Sequence, residues 1–412
     1  MHGWDGGVLV VRCCISRALG LVVVAVLCAG LAACGSAGQA QEVAAAAGAA
    51  EADHAGNAET AGAPASGEAG TSCTGVIGVI APFGGTTARD SIQMNWARVS
   101  LDHFNSVHGT SFTIDPANVD TDIAAGRREA RRLGEDEDVV GIVGPASSRV
   151  VEAVGSILDD AALSYVSPSA TRVSLTDGHL KGFYRVVPND DKQAPAISAF
   201  ISERLRPRKV LVADQDDPYS APLAAGIIKD LRKRGVPIQY VRLPAGQQSV
   251  KDIAGQVDPE VEVVVLPLID VALANRFIAA VQATGMRPAV VGADSLFVPA
   301  FDQAGAYVSS FGPDATTSAA GREAVRLYQA IFGEFEAFGG PAYAAMEVVA
   351  TAALETCKGG RANREGVSEG LPKVVLEESP LGTPISFDAQ HEVREGSYRI
   401  FRVTSGGYQQ VG

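Results

Sequence analysis

The feature that most constrains this chain is a repeated pairing: a short apolar run, then a stretch long enough for an amphipathic helix. Val76-Ile77-Gly78-Val79-Ile80-Ala81 is one such run, stopped by Pro82. An apolar run of this length without polar alternation suits a strand buried on both faces, as in a parallel sheet. A helical stretch over 91–107 follows, then strands at 112–115, 139–143 and 163–166 with helices at 122–133 and 149–160 between them. The pattern restarts after Arg185, with helices at 194–205, 221–235 and 271–284 and strands at 209–213, 238–241, 261–266 and 289–291. Helices at 322–334 and 343–357 and short strands at 385–387 and 397–403 close the chain. Strand–helix alternation in two blocks predicts an α/β protein of two doubly wound, three-layer lobes.

The N-terminus has a different character. Arg12 and Arg17 precede an apolar stretch over 19–33. It is shorter than the about 20 residues a spanning helix needs and has the layout of a secretory signal. The stretch ends in Leu31-Ala32-Ala33-Cys34-Gly35-Ser36, which resembles a bacterial lipobox. On that reading 1–33 is a lipoprotein signal peptide and Cys34 carries the lipid. The protein is then secreted across the cytoplasmic membrane and anchored to its outer face. The alternative is an ordinary signal peptide with an incidental cysteine. Residues 34–74 are rich in Ala, Gly, Glu and Ser, too poor in large apolar groups to offset their ordering entropy, and read as a disordered spacer. Of the 6 cysteines, Cys13, Cys14 and Cys28 leave with the signal and Cys34 is lipidated. Cys73 and Cys357 remain, an even pair in an oxidising compartment, and are expected to form a disulfide. Two unrelated thiols are the alternative.

The formal net charge of −13 argues against a nucleic-acid surface, which needs a basic stripe. No nucleophile elbow, zinc-protease helix or phosphate-binding loop occurs, and His179 and His391 are isolated. The expectation is a binding protein, not an enzyme, with no cofactor and no metal.

In open α/β sheets ligands bind outside the carboxyl ends of the strands. The loops after the strands therefore hold the candidates. Gly144-Pro145-Ala146-Ser147-Ser148 offers two hydroxyls at a helix start, a seat for a carboxylate or simply a helix cap. Ser167-Pro168-Ser169-Ala170-Thr171 is a second hydroxyl-rich loop. In the second block Tyr219 has a ring and a hydroxyl for covering a ligand, or is a packed turn residue. Asp294 follows the strand at 289–291 and suits a ligand ammonium, or is a solvated loop acid. Asp270 occupies a similar place after 261–266 and equally fits a helix cap.

Together these loops resemble the branched-chain amino-acid (Leu/Ile/Val) binding proteins of ABC importers. The resemblance rests on Val140-Gly141-Ile142-Val143-Gly144-Pro145-Ala146-Ser147-Ser148 and on Tyr165-Val166-Ser167-Pro168-Ser169-Ala170-Thr171. Leu175-Thr176 and Phe183-Tyr184-Arg185-Val186-Val187-Pro188 extend it. It implies a type I periplasmic-binding fold, with lobes of 75–187 plus 314–394 and 188–313 plus 395–412. A three-strand hinge would cross near 186–190, 309–314 and 393–397. It implies that Ser147, Ser148, Ser169, Ala170 and Thr171 hold the ligand's carboxylate or amine, that Tyr219 closes over it, and that Asp294 takes the α-ammonium. Arg89 and Asp270 stand where the family often has aromatic residues and would make the pocket more polar. The implied ligand is a small polar solute, an amino acid of branched-chain type or a related amide, delivered by a monomeric receptor to an ABC permease. The alternative is a ligand-sensing lipoprotein that signals to a separate membrane receptor.

Overall fold

The computed structural model of the chain describes residues 72–83, 91–243, 247–311, 314–334 and 337–412. The expected signal peptide, Cys34, nearly all of the expected spacer and Arg89 lie outside the described residues. No helix among the described residues is long and apolar enough to cross a membrane.

The first sheet has five parallel strands in the order β2-β1-β3-β4-β5. These are β1 (Thr74–Ala81), β2 (Ser111–Asn118), β3 (Val139–Val143), β4 (Tyr165–Ser167) and β5 (Phe183–Arg185). Side chains alternate across a strand, so one apolar run feeds two cores. Ile77 and Val79 of β1 pack with α1 (Ile92–His108) and α9 (Gly340–Glu355). Ile80 packs with α2 (Ile123–Glu135) and α3 (Ser148–Asp160) on the other face. This is why the run lacks polar alternation.

The second sheet repeats the device. Its order is β12-β11-β10-β9-β8-β6-β7, parallel from β10 to β7 and antiparallel at β11 and β12. The strands are β6 (Val210–Asp214), β7 (Ile238–Arg242), β8 (Val263–Leu266), β9 (Ala289–Gly292), β10 (Tyr307–Phe311), β11 (Tyr398–Thr404) and β12 (Gly407–Gln410). Val210 and Val212 meet α4 (Asp190–Phe200) and α5 (Ser220–Lys233); Leu211 and Ala213 meet α6 (Gln247–Ala254) and α7 (Val271–Ala283). The chain passes between the sheets three times: from β5 into α4, from β10 towards α8 (Ala319–Phe332), and from 393–397 into β11.

One expected strand changes, and two helices appear that were not expected. The strand at 385–387 belongs to neither sheet; Ile385 and Phe387 form isolated bridges to Leu376 and Val393. Helix α6 occupies a stretch whose polar residues gave no helical reading, as does α10 (Arg364–Gly370). Cys73, just before β1, is disulfide-bonded to Cys357, just past α9, across a sequence separation of 284 residues. Closing so long a loop removes unfolded-state entropy worth about 5–6 kcal/mol in the simplest chain model.

Candidate functional site

The loops after β3 and β4 are sewn to each other before any ligand is considered. Gly144 turns the chain with φ of 101°, and an added Cβ would lie 2.2 Å from the Ile80 carbonyl oxygen, so only glycine fits. Ser147 caps α3, its Oγ accepting from Val150 N–H at 3.3 Å. Ser148 Oγ accepts from Arg172 N–H at 3.2 Å. Ser167 Oγ donates to Pro145 O at 2.7 Å and accepts from Ala170 N–H at 3.0 Å. Ser169 Oγ donates to Ala146 O at 2.7 Å.

Beneath these loops lies a buried ion pair. Arg185, wholly buried at the end of β5, donates from Nη1 to the carbonyls of Ala170 (3.0 Å) and Arg172 (2.8 Å). Its Nε donates to Glu392 Oε2 at 2.8 Å, and its Nη2 donates to Glu392 Oε1 and to Thr176 Oγ1. Asn189 Nδ2 adds a bond to the same carboxylate at 3.0 Å. Burial opposes ionisation of Glu392, but the hydrogen bonds and charge of Arg185 outweigh it and hold the carboxyl below its ordinary range. The guanidinium thus ties the β4 loop to the segment that leads into the third crossing.

The second lobe faces this with charge. Tyr219 O–H donates to Asp294 Oδ1 at 2.7 Å, and Gln193 Nε2 donates to the same oxygen at 2.5 Å and to Ser309 Oγ at 2.8 Å. Burial pushes the Asp294 carboxyl up to about 6, against the pull of those two hydrogen bonds. Asp190, buried at the start of α4, is pushed up to about 8 by burial and by the nearby Asp294 charge. Burial and the same two carboxylates hold the Tyr219 phenol well above its usual range, so it stays a donor.

Between the two sets of loops lies a cavity of about 250 Å³. Ser147, Ser148 and Ser169 border it from the first lobe, Tyr219, Asp294 and Ser295 from the second. Next to Ser148, Arg149 of α3 reaches Asp217 of the β6–α5 loop at 3.9 Å. A carboxylate-lined wall opposite a hydroxyl-lined helix start is an arrangement that holds a zwitterion.

The periplasmic binding protein family matches the chain over residues 75–408. The chain belongs to that family. Against a Leu/Ile/Val-binding protein, BraC3, of Rhizobium johnstonii it is 26% identical over 342 residues, 79% of this chain and 91% of the relative. Against an amino acid binding protein of Pseudomonas aeruginosa it is 28% identical over 120 residues, and there it spans only 32% of the relative's length. Among solved structures, a leucine-binding protein, LivK, of Thermotoga maritima has the same fold, with a TM-score of 0.71 at 20% identity over 82% of this chain and 97% of that one.

Within this periplasmic binding protein the sequence candidates divide. Ser147, Ser148, Ser169, Tyr219 and Asp294 come together around the cavity. Ala170 and Thr171 are fully buried and do not border it; the carbonyl of Thr171 instead receives Asp190 N–H at 2.9 Å. Asp270 does not border it either. It caps α7, its Oδ1 accepting from Leu273 N–H at 2.8 Å, which satisfies a helix end without any ligand. Gln93, Asp120, Ser295 and Phe338 also line the cavity, and of these Ser295 adjoins a sequence candidate, Asp294. Asp120 had one available clue, its position just past the end of β2.

Proposed function

We propose that this protein is an extracytoplasmic, lipid-anchored receptor that binds an α-amino acid or related amide between its lobes and delivers it to an ABC importer. The observation that carries this reading is Asp294, a buried carboxylate at the cavity wall, facing the serine loops across the cleft. An unpaired buried carboxylate is costly, and a ligand ammonium relieves that cost only when the lobes are together. Differential affinity of this kind drives closure, since a ligand bound equally well by open and closed forms shifts nothing. The ligand carboxylate is expected at the start of α3, where free N–H groups and the dipole favour an anion. The Leu/Ile/Val and amino-acid names of the relatives support the same solute class, and they are binding proteins rather than enzymes. Anchoring rests on the lipobox at Cys34, and it would keep the receptor within reach of its permease.

The test is a thermal-shift screen of free amino acids and small amides on ligand-free protein, followed by Asp294→Ala. A true ligand raises the Tm with concentration. Asp294→Ala should weaken that ligand about 100-fold or more, the scale of losing one partner of a buried charge pair, while circular dichroism stays native. Unchanged affinity would remove Asp294 from the site, and no stabilisation by any small solute would overturn the receptor reading.

A further inference from the structure

The first-lobe wall of the cavity holds acceptors that the protein itself does not answer. Gln93, the second residue of α1, is 4% exposed and borders the cavity. Its Nε2 donates to Ser169 Oγ at 2.9 Å, and Ser169 donates its only proton to Ala146 O at 2.7 Å. That relay fixes the amide. Turned the other way, Gln93 would offer an acceptor to a hydroxyl whose proton is already spent. Oε1 is therefore the free end, and it has no hydrogen-bond partner among the described residues. A buried acceptor in a ligand cavity calls for a donor on the ligand.

Asp120 is the second such group. It follows β2, is exposed at the cavity, and makes no hydrogen bond or ion pair among the described residues. The described cavity wall thus contains two carboxylates, Asp120 and Asp294, and no lysine, arginine or histidine. A neutral amino acid brings one ammonium and one carboxylate, so it balances one of the two acids at most. Sheet order sets the spacing. β2 lies two strands from β3 and three from β4, about 10 and about 14 Å along the sheet edge. A head group seated at the β3 and β4 loops reaches Asp120 only through a side chain several bonds long. Ile92, Ile269, Val298 and Phe338 line the cavity as apolar wall for such a stem.

We propose that the solute is a basic amino acid, with Gln93 Oε1 accepting from its α-ammonium opposite Asp294 and Asp120 pairing with the cationic end of its side chain. This rests on the amino-acid receptor reading above and narrows it. Acidic walls discriminate through charge complementarity, which an aliphatic side chain cannot use.

The test is calorimetric titration of the ligand-free protein with L-lysine, L-ornithine, L-arginine, L-leucine and L-glutamine, in parallel for wild type, Asp120→Asn and Gln93→Leu. At least one basic amino acid should bind tenfold or more tighter than leucine and glutamine. Asp120→Asn, an exposed and fold-safe change, should cut that preference about tenfold. Gln93→Leu should weaken the preferred ligand about fivefold or more with an unchanged melting profile. Tighter binding of leucine or glutamine than of every basic amino acid overturns the inference and leaves the amino-acid receptor standing. So does an Asp120→Asn protein with the wild-type preference. Failure of all five to bind overturns this inference, and the receptor reading falls with it only if the thermal-shift screen also finds no stabilising solute.

Discussion

The two walls of the cleft are built on opposite plans. On the first-lobe side the loop hydroxyls are committed within the protein, while Gln93 Oε1 and Asp120 are not: Ser167 and Ser169 lace the β3 and β4 loops together, and Arg185 holds the β4 loop from below through two carbonyls and Glu392. On the second-lobe side Asp190 and Asp294 are buried without a cation, and both are pushed towards their neutral forms. One wall is a preorganised scaffold whose buried charges, Arg185 and Glu392, cancel. The other stores uncompensated acid that a ligand or a proton must answer. Preorganisation on one side and charge on the other divide the work of binding, since fixed loops lower the ordering cost while the acid supplies the drive to close.

The scaffold side breaks most severely. Arg185→Met keeps volume but strands Glu392 in the interior with only Thr176 and Asn189 for partners. Breaking a buried pair from one side costs about 3–5 kcal/mol. Urea unfolding should show that loss, and amide exchange should show the 170–176 loop opening first. Arg185→Met with Glu392→Gln should recover part of it, because the uncompensated charge is gone. A loss below about 1 kcal/mol for the single variant would mean the clasp is ornamental and the first wall is held by the serines alone.

The acidic side should respond to pH in the opposite sense. A carboxyl raised to about 8 in the folded state and near 4 when unfolded binds more protons folded than unfolded between those values. Stability then falls as pH rises through that window. The groups facing Asp190 are Asp294, Thr171, Arg185, Asp191, Tyr219 and Tyr398, and Arg185 is already committed to Glu392. Asp190→Asn should therefore flatten the fall between about pH 4 and 8, leaving the variant nearly equal to wild type at about pH 4 and more stable by several kcal/mol at about pH 8. Parallel stability curves for the two proteins would show that Asp190 is not an uncompensated acid.

The sequence exposed the scaffold better than the acid. The apolar runs of β1, β3 and β6 announce themselves because each is covered on both faces, and the loops after β3 and β4 follow directly. Their hydroxyls were visible as Ser147, Ser148 and Ser169. What was hidden depends on contacts across long sequence distances. Arg185 and Glu392 are 207 positions apart. Gln93 sits on a helix with an ordinary apolar stripe, and only its bond to Ser169 turns it inward. Asp270 shows the converse: its place after a strand fitted a ligand contact or a helix cap equally, and the Leu273 N–H of α7 takes its carboxylate. A three-residue strand such as β5 carries too little pattern to be seen, whereas the expected strand at 385–387 had the pattern but makes only single bridges, to Leu376 and Val393.

The smallest effect belongs to the contact that joins the two plans. Arg149 stands on α3, directly after the serines, and Asp217 on the loop that carries Tyr219, so their 3.9 Å approach exists only while the lobes are together. Arg149 is 44% exposed, and an ion pair that open to water is worth about 0–1 kcal/mol. Arg149→Ala should therefore leave unfolding of the ligand-free protein almost unchanged and weaken ligand affinity by about two- to fivefold, mostly through faster release. Because the pair is screened by salt, the difference between variant and wild type should shrink as ionic strength rises. A larger and salt-insensitive loss would place Arg149 on the ligand carboxylate instead, and the first wall would then carry a positive charge of its own opposite the acid of the second.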